Sequence, residues 1–466
     1  MLDKVKNLPE DQISFRRASY ELLLGRYTSI GGSHPHVQES IKIDLTRHAS
    51  NTFRSIKDEV TFALDTEFGV CNDWKAMKVD GKLLKAVARI SARIFVGLPL
   101  CRDEEWLRMT IGYTEDVINA CENIKKYPFF LRPFITPFLP EFRQLIVSRQ
   151  RAGKMLAPTI AAIIKSQSTG SKYTQSKENS TSLERNGQYN MVSWILGRYK
   201  ASEKPSPQLI GEEQLLVSMA SIHTTRITTA QALFDLASYP EYVAELRAEI
   251  NQVTSEESDG KLKKDSLPKL RKLDSFIKES QRMHPLGMGT AFSSFYVPDV
   301  DCFPRAKSLA VEITTNSSFA VIMPRLVTAK NGLTLSPSAH LPKGTFTSFV
   351  HPQHQRSPTL SQPPLDEFHP FRYADLRSMA GEENKHQFVT TSHDSLSFGH
   401  GLHACPGRFF ASNLIKVLLI ELIKRYDIAL SPKGENAGGD VKRPETLTFG
   451  TNFIPDPMAD VYFRQR

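Results

Sequence analysis

The chain has 466 residues, of which 40% are apolar and 23% charged, a balance that excludes a disordered polypeptide and suits a large globular body able to enclose a bulky cofactor. The formal net charge of +9 is modest and spread along the chain. It does not point to nucleic acid, but suits a basic face for an acidic redox partner or anionic lipid. Five scattered cysteines (Cys71, Cys101, Cys121, Cys302 and Cys405) give neither a disulfide framework nor a paired metal motif, and imply a reducing compartment.

The first residues, Met1 to Pro9, are charged from Asp3 onward and read as neither a signal peptide nor a membrane anchor. No run of about 18 apolar residues occurs, so no segment is expected to span a bilayer as a helix. Apolar periodicity predicts helices beginning near Lys82 (Leu83, Val87, Ile90, Ile94), near Trp106, and over Arg143 to Ser166. Between the last two lies an apolar stretch from Tyr127 to Pro140 holding four prolines, which rule out a continuous helix. It is expected either as a buried connection or as an apolar lip at a ligand entrance or membrane surface. Residues 166–190 are polar and read as a solvated loop, where Asn179 is formally a glycosylation sequon.

A long helix is predicted from Pro207 to Tyr239, stopped by Pro240. Others follow through Tyr242, Leu246 and Ile250, and from Lys269 to Met283. After Pro285 the pattern turns to short β-prone pieces, such as Gly332 to Leu335 and the turn Leu341 to Thr345. One more apolar helix, Phe409 to Tyr426, precedes a strand-like tail. The expected class is mainly α with a smaller β portion.

Candidate chemistry concentrates in the segment Phe398-Gly399-His400-Gly401-Leu402-His403-Ala404-Cys405-Pro406-Gly407-Arg408. Its glycines mean a tightly folded backbone, and Cys405 precedes a helix whose positive end favours thiolate over thiol. His403 and Arg408 add positive charge. A thiolate in such a loop is what a haem iron requires as an electron-donating ligand.

This segment resembles the haem-binding loop of the cytochromes P-450, Phe-Gly-x-Gly-x-(Arg or His)-x-Cys-x-Gly-Arg, at every fixed position. The resemblance implies a single P-450 domain around a buried haem (iron protoporphyrin IX). Cys405 would be the proximal iron ligand, His403 a propionate partner and Phe398 a neighbour of the sulfur; Gly399 and Arg408 complete the cofactor-binding set. Glu279 and Arg282, three apart on one helical face, match the family's Glu-x-x-Arg. They imply a structural cluster with Arg372 of the Phe368-His369-Pro370-Phe371-Arg372 segment. On the long helix, Ala220-Ser221-Ile222-His223-Thr224 is similar to the family's distal Ala-Gly-x-(Asp or Glu)-Thr. Thr224 and His223 are thereby the candidate proton-relay residues, Ser221 replacing the glycine and His223 the acid.

The resemblance implies an oxidation using dioxygen and electrons from NADPH through a cytochrome P-450 reductase. The Ile-His-Thr-Thr variant looks like that of fungal members acting on terpenoid and related secondary metabolites, so an apolar polycyclic substrate is expected. Its contacts are expected from Met219, Ala220, His223, Leu286 to Phe292, and Thr451 to Phe453. A haem-thiolate isomerase or dehydratase, or an inactive remnant, is the alternative.

Two regions depart from the family. The chain opens after the expected anchor and first sheet, and no Trp-x-x-x-Arg is recognisable in His34 to Arg47, where Lys42 or Arg47 would substitute. Residues 293–323 read as a non-family insertion, from a surface loop or translated intron sequence. The family resides on the endoplasmic reticulum membrane. Without a spanning anchor, this chain is expected to be cytosolic or peripheral to that membrane.

Overall fold

The computed structural model describes residues 2–168, 190–200, 203, 205–286, 319–336, 339–352, 364–431, 442–449 and 452–466. Eight long helices build the body: α1 (Ala49–Glu67), α2 (Val79–Phe95), α3 (Glu104–Lys125), α4 (Pro140–Ser168), α5 (Pro207–Ser238), α6 (Pro240–Ser255), α7 (Arg271–Met283) and α8 (Arg408–Arg425). All but α1 follow the predicted segments to within a few residues. Helix α1 buries Phe53, Ile56, Val60, Ala63 and Leu64, a readable helical spacing that the sequence reading passed over.

Helix α5 runs through the middle and packs against α2, α3, α4, α7 and α8. Its start is fixed by Ser206, whose hydroxyl accepts from the Leu209 amide at 3.2 Å, and by Pro207 in the first turn. The ring of Pro240 ends it and opens α6. Gly153 of α4 and Gly211 of α5 let the two backbones touch: a Cβ on Gly211 would lie 2.5 Å from the Gly153 nitrogen.

The β portion is small. Strands β1 (Ile13–Ser14), β3 (Phe319–Val327) and β6 (Phe346–Pro352) form one antiparallel sheet. The C-terminal strand β10 (Asp460–Gln465) sits between β2 (Lys75–Lys78) and β7 (Tyr426–Ala429), and its Val461 and Phe463 are fully buried. Two hairpins, β4 (Leu333–Ser336) with β5 (Ala339–Leu341) and β8 (Thr446–Phe449) with β9 (Asn452–Pro455), complete it.

The proline-rich connection between α3 and α4 is not buried. Phe129, Phe130, Phe134 and Phe138 are each 70 to 73% exposed. Prolines 128, 133, 137 and 140 limit this stretch to two short helical turns, Arg132–Ile135 and Thr136–Phe138, so it has no continuous helical face to turn inward. No helix among the described residues is long and apolar enough to cross a membrane. The sequon at Asn179, Cys302, most of the stretch 293–323, residues 287–292 and Thr451 lie outside the described residues.

Candidate active site

The cysteine loop folds as its glycines require. Gly399 and Gly401 have φ of +71° and +68°, and a Cβ would fall 2.8 Å from the His403 carbonyl oxygen or 2.2 Å from that of Lys6. The Cys405 amide donates to the Phe398 carbonyl at 2.6 Å, closing the loop. Cys405 then stands just ahead of α8. The backbone N–H groups of Gly407 and Arg408 are directed at its sulfur. Burial pushes the thiol up, while those amides and the Arg408 guanidinium oppose that rise. The Arg408 side chain also caps the loop, donating to the Cys405 carbonyl at 2.9 Å and lying over the Phe409 ring.

The other described cysteines are different. Cys71, Cys101 and Cys121 are buried, and burial first of all lifts the Cys101 and Cys121 thiols to about 12, whereas Cys405 is partly exposed. Two residues past Cys405, an added Cβ on Gly407 would meet no atom within 4 Å. Midway along α5, Ala220 is exposed, and Met219, Ser221, His223 and Thr224 around it are partly exposed. One amide-flanked, partly exposed sulfur and an uncovered patch on the central helix fit a flat cofactor ligated through a single thiolate.

The predicted supporting cluster is assembled. Arg282 donates twice to Glu279, at 2.8 Å to each carboxylate oxygen, and Arg372 Nε donates at 3.1 Å. The His369 amide adds a fourth bond at 3.0 Å. The remaining donors of the two arginines hold the carbonyls of Pro364, Leu365 and Glu367. Glu279 and Arg372 are 0% and 1% exposed, so this is a buried, satisfied ionic cluster rather than a surface pair.

Beside it lies a second network that sequence reasoning missed. Asp274, one turn and a half earlier on α7, accepts from the Phe388 amide at 2.8 Å and pairs with Arg377 and with Lys416 of α8. Lys278 donates to the Gln387 carbonyl at 3.0 Å. The Phe388 ring packs edge-on against Phe398 at 5.2 Å, and Phe398 holds the Cys405 amide. A continuous set of contacts thus runs from α7 to the sulfur-bearing residue. The available signal was the run of polar residues at buried helical spacing, Asp274, Lys278, Glu279 and Arg282.

His403, expected beside a propionate, has both ring nitrogens engaged by the N-terminal segment. Nε2 donates to the Leu8 carbonyl at 2.7 Å, and Nδ1 lies 3.4 Å from the Glu10 carboxylate. A propionate partner would have to displace one of them. Lys42 and Arg47 are exposed, and Arg198 instead ties their helical turn together through Asp44 and Glu39.

On the distal helix, the Thr224 hydroxyl donates to the Ala220 carbonyl at 2.9 Å, and Ser221 faces Ser91 of α2 at 3.4 Å. His223 is turned from this face: its Nε2 donates to the Ile111 carbonyl of α3 at 3.3 Å. Burial, followed by the Arg226 charge, lowers its pKa to about 4 despite that bond. The expectation of a relay through His223 therefore meets a neutral ring aimed at another helix.

The sign of the resulting linkage is definite. The ring stays neutral in the fold, so between pH 6.5 and about 4 the unfolded chain binds the proton that the native one refuses. The associated stability, at most about 3 kcal/mol, is complete above pH 6.5 and lost toward pH 4. His223→Asn is expected to flatten the pH dependence of urea unfolding across that window. An unchanged slope would contradict the assignment.

The cytochrome P-450 family model matches residues 45–291 and 322–443. The chain is 37% identical to the cytochrome P-450 monooxygenase ascG of Acremonium egyptiacum, over 100% of this chain and 83% of the relative. It is 38% identical to the cytochrome P-450 monooxygenase BOA7 of Botryotinia fuckeliana, over 99% of this chain and 81% of the relative. With the cytochrome P-450 monooxygenase ataF of Aspergillus terreus it shares 34% identity, over 100% of this chain and 83% of the relative. The mainly α body with its small sheets is that family's fold, and haem is its cofactor. By the match over most of its length and by the identity to these relatives, the chain belongs to the cytochrome P-450 family of haem-thiolate monooxygenases.

Proposed function

We propose that the protein oxidises an apolar polycyclic metabolite of fungal secondary metabolism, drawing electrons from NADPH through a cytochrome P-450 reductase. The observation that carries this reading is Cys405, partly exposed at the head of α8 with two backbone amides directed at its sulfur. When bound, the haem supplies the activation of dioxygen. The chain's own contribution is to hold it and shape the space above it. Cys405 is the ligand; Phe398, Gly399 and Arg408 fix its loop; and the Glu279–Arg282–Arg372 cluster holds the preceding segment. On α5, Ala220 would leave room for substrate, and the Thr224 hydroxyl would hand on a proton. Met219 and Leu286, both half-buried, supply apolar walls.

A carbon monoxide difference spectrum of the reduced protein tests the reading, with the Soret band of thiolate ligation as the expected result. Absence of any haem band would overturn it. Dependence of turnover on both NADPH and oxygen separates a monooxygenase from a reductase-independent isomerase.

The exposed phenylalanines between α3 and α4 support peripheral contact with a bilayer at the endoplasmic reticulum. Phe129, Phe130, Phe134 and Phe138 stand clear of the body, with Lys126 and Arg143 exposed nearby. Aromatic rings in the interface with basic residues at headgroup level are a favourable arrangement. The triple substitution F129S/F134S/F138S is expected to weaken co-flotation with phosphatidylcholine–phosphatidylserine vesicles at least about tenfold, since each buried Phe side chain is worth roughly 1.5–3 kcal/mol. Equal flotation of the variant and the parent protein would refute the contact.

A further inference from the structure

The central helix carries a carboxylate that neither the haem nor the supporting cluster uses. Glu213 of α5 is 3% exposed. One carboxylate oxygen, Oε1, lies 3.3 Å from His34 Nδ1, at the N-cap of the short helix Pro35–Glu39. The other, Oε2, is buried without a hydrogen-bond partner among the described residues. So are both polar atoms of the adjacent Gln214, which is fully buried. Buried polar atoms are ordinarily paired, and a cluster left open on one helical turn marks a position where a ligand can complete the bonding.

The register of the helix places this carboxylate. At 3.6 residues per turn, Ala220 and Thr224 each fall within about 20° of Glu213 around α5, one on either side of it. Ala220 and Thr224 are the uncovered positions of that face. Glu213 lies about 10 Å along the axis from Ala220 and about 16 Å from Thr224, given a rise of 1.5 Å per residue. It is thus on the substrate side of the helix, at a molecule's length from the proton-relay hydroxyl. The surrounding wall is aromatic and basic: the rings of His36 and Tyr199 lie 4.4 Å apart, and after burial it is the Glu213 charge that lifts the Tyr199 phenol.

We infer that Glu213, oriented by His34, is the polar anchor of the substrate site. It accepts a hydrogen bond from a hydroxyl or protonated amine at the end of an otherwise apolar substrate remote from the oxidised carbon. The inference rests on the haem-thiolate reading and adds to it the polarity of the substrate and the end by which it is held. A single accepted bond on an apolar body fixes which carbon reaches the reaction centre, as a few placed polar groups do in apolar pockets. Substrates lacking the donor would leave Oε2 buried and unpaired, the situation in which a site discriminates most strongly.

The test uses the full-length haem-loaded protein and a ruler anchored on the iron. N-alkylimidazoles of increasing chain length, ending in methyl, hydroxyl or amine, are titrated while imidazole ligation is read from the haem absorbance. For one chain length, the hydroxyl- or amine-ended probe is expected to bind at least about tenfold more tightly than the methyl-ended one. Glu213→Leu is expected to abolish that preference, weakening the hydroxyl- and amine-ended probes and tightening the methyl-ended one, and His34→Ala to reduce it. A methyl preference at every length in the unmutated protein would overturn the inference, whatever the variants do. So would survival of the donor preference in Glu213→Leu. Either result beside a normal thiolate Soret band overturns the anchor alone, whereas absence of any haem band overturns the parent reading with it.

Discussion

Cys405→Ser is expected to give a folded protein that has lost the thiolate Soret band of the reduced carbon monoxide complex and, with it, turnover. The physical ground is the difference between what the position does for the fold and what it does for the metal. Cys405 is partly exposed, and serine differs by one atom, so the stability cost should stay within about 0.5 kcal/mol. The Gly407 and Arg408 amides would then face a hydroxyl that does not ionise near neutrality and cannot donate electron density as a thiolate does. The control is Cys101→Ser. Burial lifts the Cys101 thiol to about 12, so it is a protonated core group, and its removal should lower stability while leaving the Soret band in place. A retained thiolate band in Cys405→Ser would assign the ligand elsewhere.

The second large effect is expected at Glu279, where the chemistry is structural. Glu279→Gln keeps the shape but removes the charge that neutralises Arg282 and Arg372, two guanidinium groups 7% and 1% exposed. Breaking a buried ion pair by removing one partner costs roughly 3–5 kcal/mol, because the remaining charge is left uncompensated. Against a typical total of about 5–15 kcal/mol, that is a large share. The midpoint of thermal unfolding should fall by about 3–5 °C, with poorer haem retention, because the polar anchoring of residues 364–372 to α7 runs through these arginines and the His369 amide. Glu279→Ala should be worse, since it also leaves the His369 amide without its acceptor. A variant melting within about 2 °C of the parent would show that the cluster does not hold this segment.

These two expectations differ in how far the sequence alone carried them. The cysteine loop was legible because its requirements are local: Gly399 and Gly401 adopt left-handed φ where a side chain would strike backbone oxygens. The Glu279–Arg282 pair was legible for the same reason, being three residues apart on one helix. Its third member, Arg372, came only from the resemblance, since the 3.1 Å contact spans 90 residues and more. The Asp274 network went unseen. No periodicity announces that Lys416 of α8 and the Phe388 amide converge on one carboxylate of α7.

His223 and Glu213 show the same limit in the site itself. Sequence placed both on the long helix Pro207 to Tyr239 and paired His223 with Thr224 as neighbours in the chain. Successive helical residues lie 100° apart, so only one of two neighbours can face the reaction space. The packing of α3 against α5 gave His223 to the Ile111 carbonyl. The exposed proline-rich connection was undecidable in a similar way: its phenylalanines read as core or as lip until the fold left them outside.

By itself, then, the sequence determined the helices, the glycine-dependent loop around Cys405 and the family, all of which follow from short-range sterics and spacing. The tertiary structure alone decided which face of α5 meets open space, that His403 turns to Leu8 and Glu10, and that His34 meets Glu213 across 179 residues. Orientation of one helix about its axis costs little locally and is set by the apolar surface that distant segments bury against it.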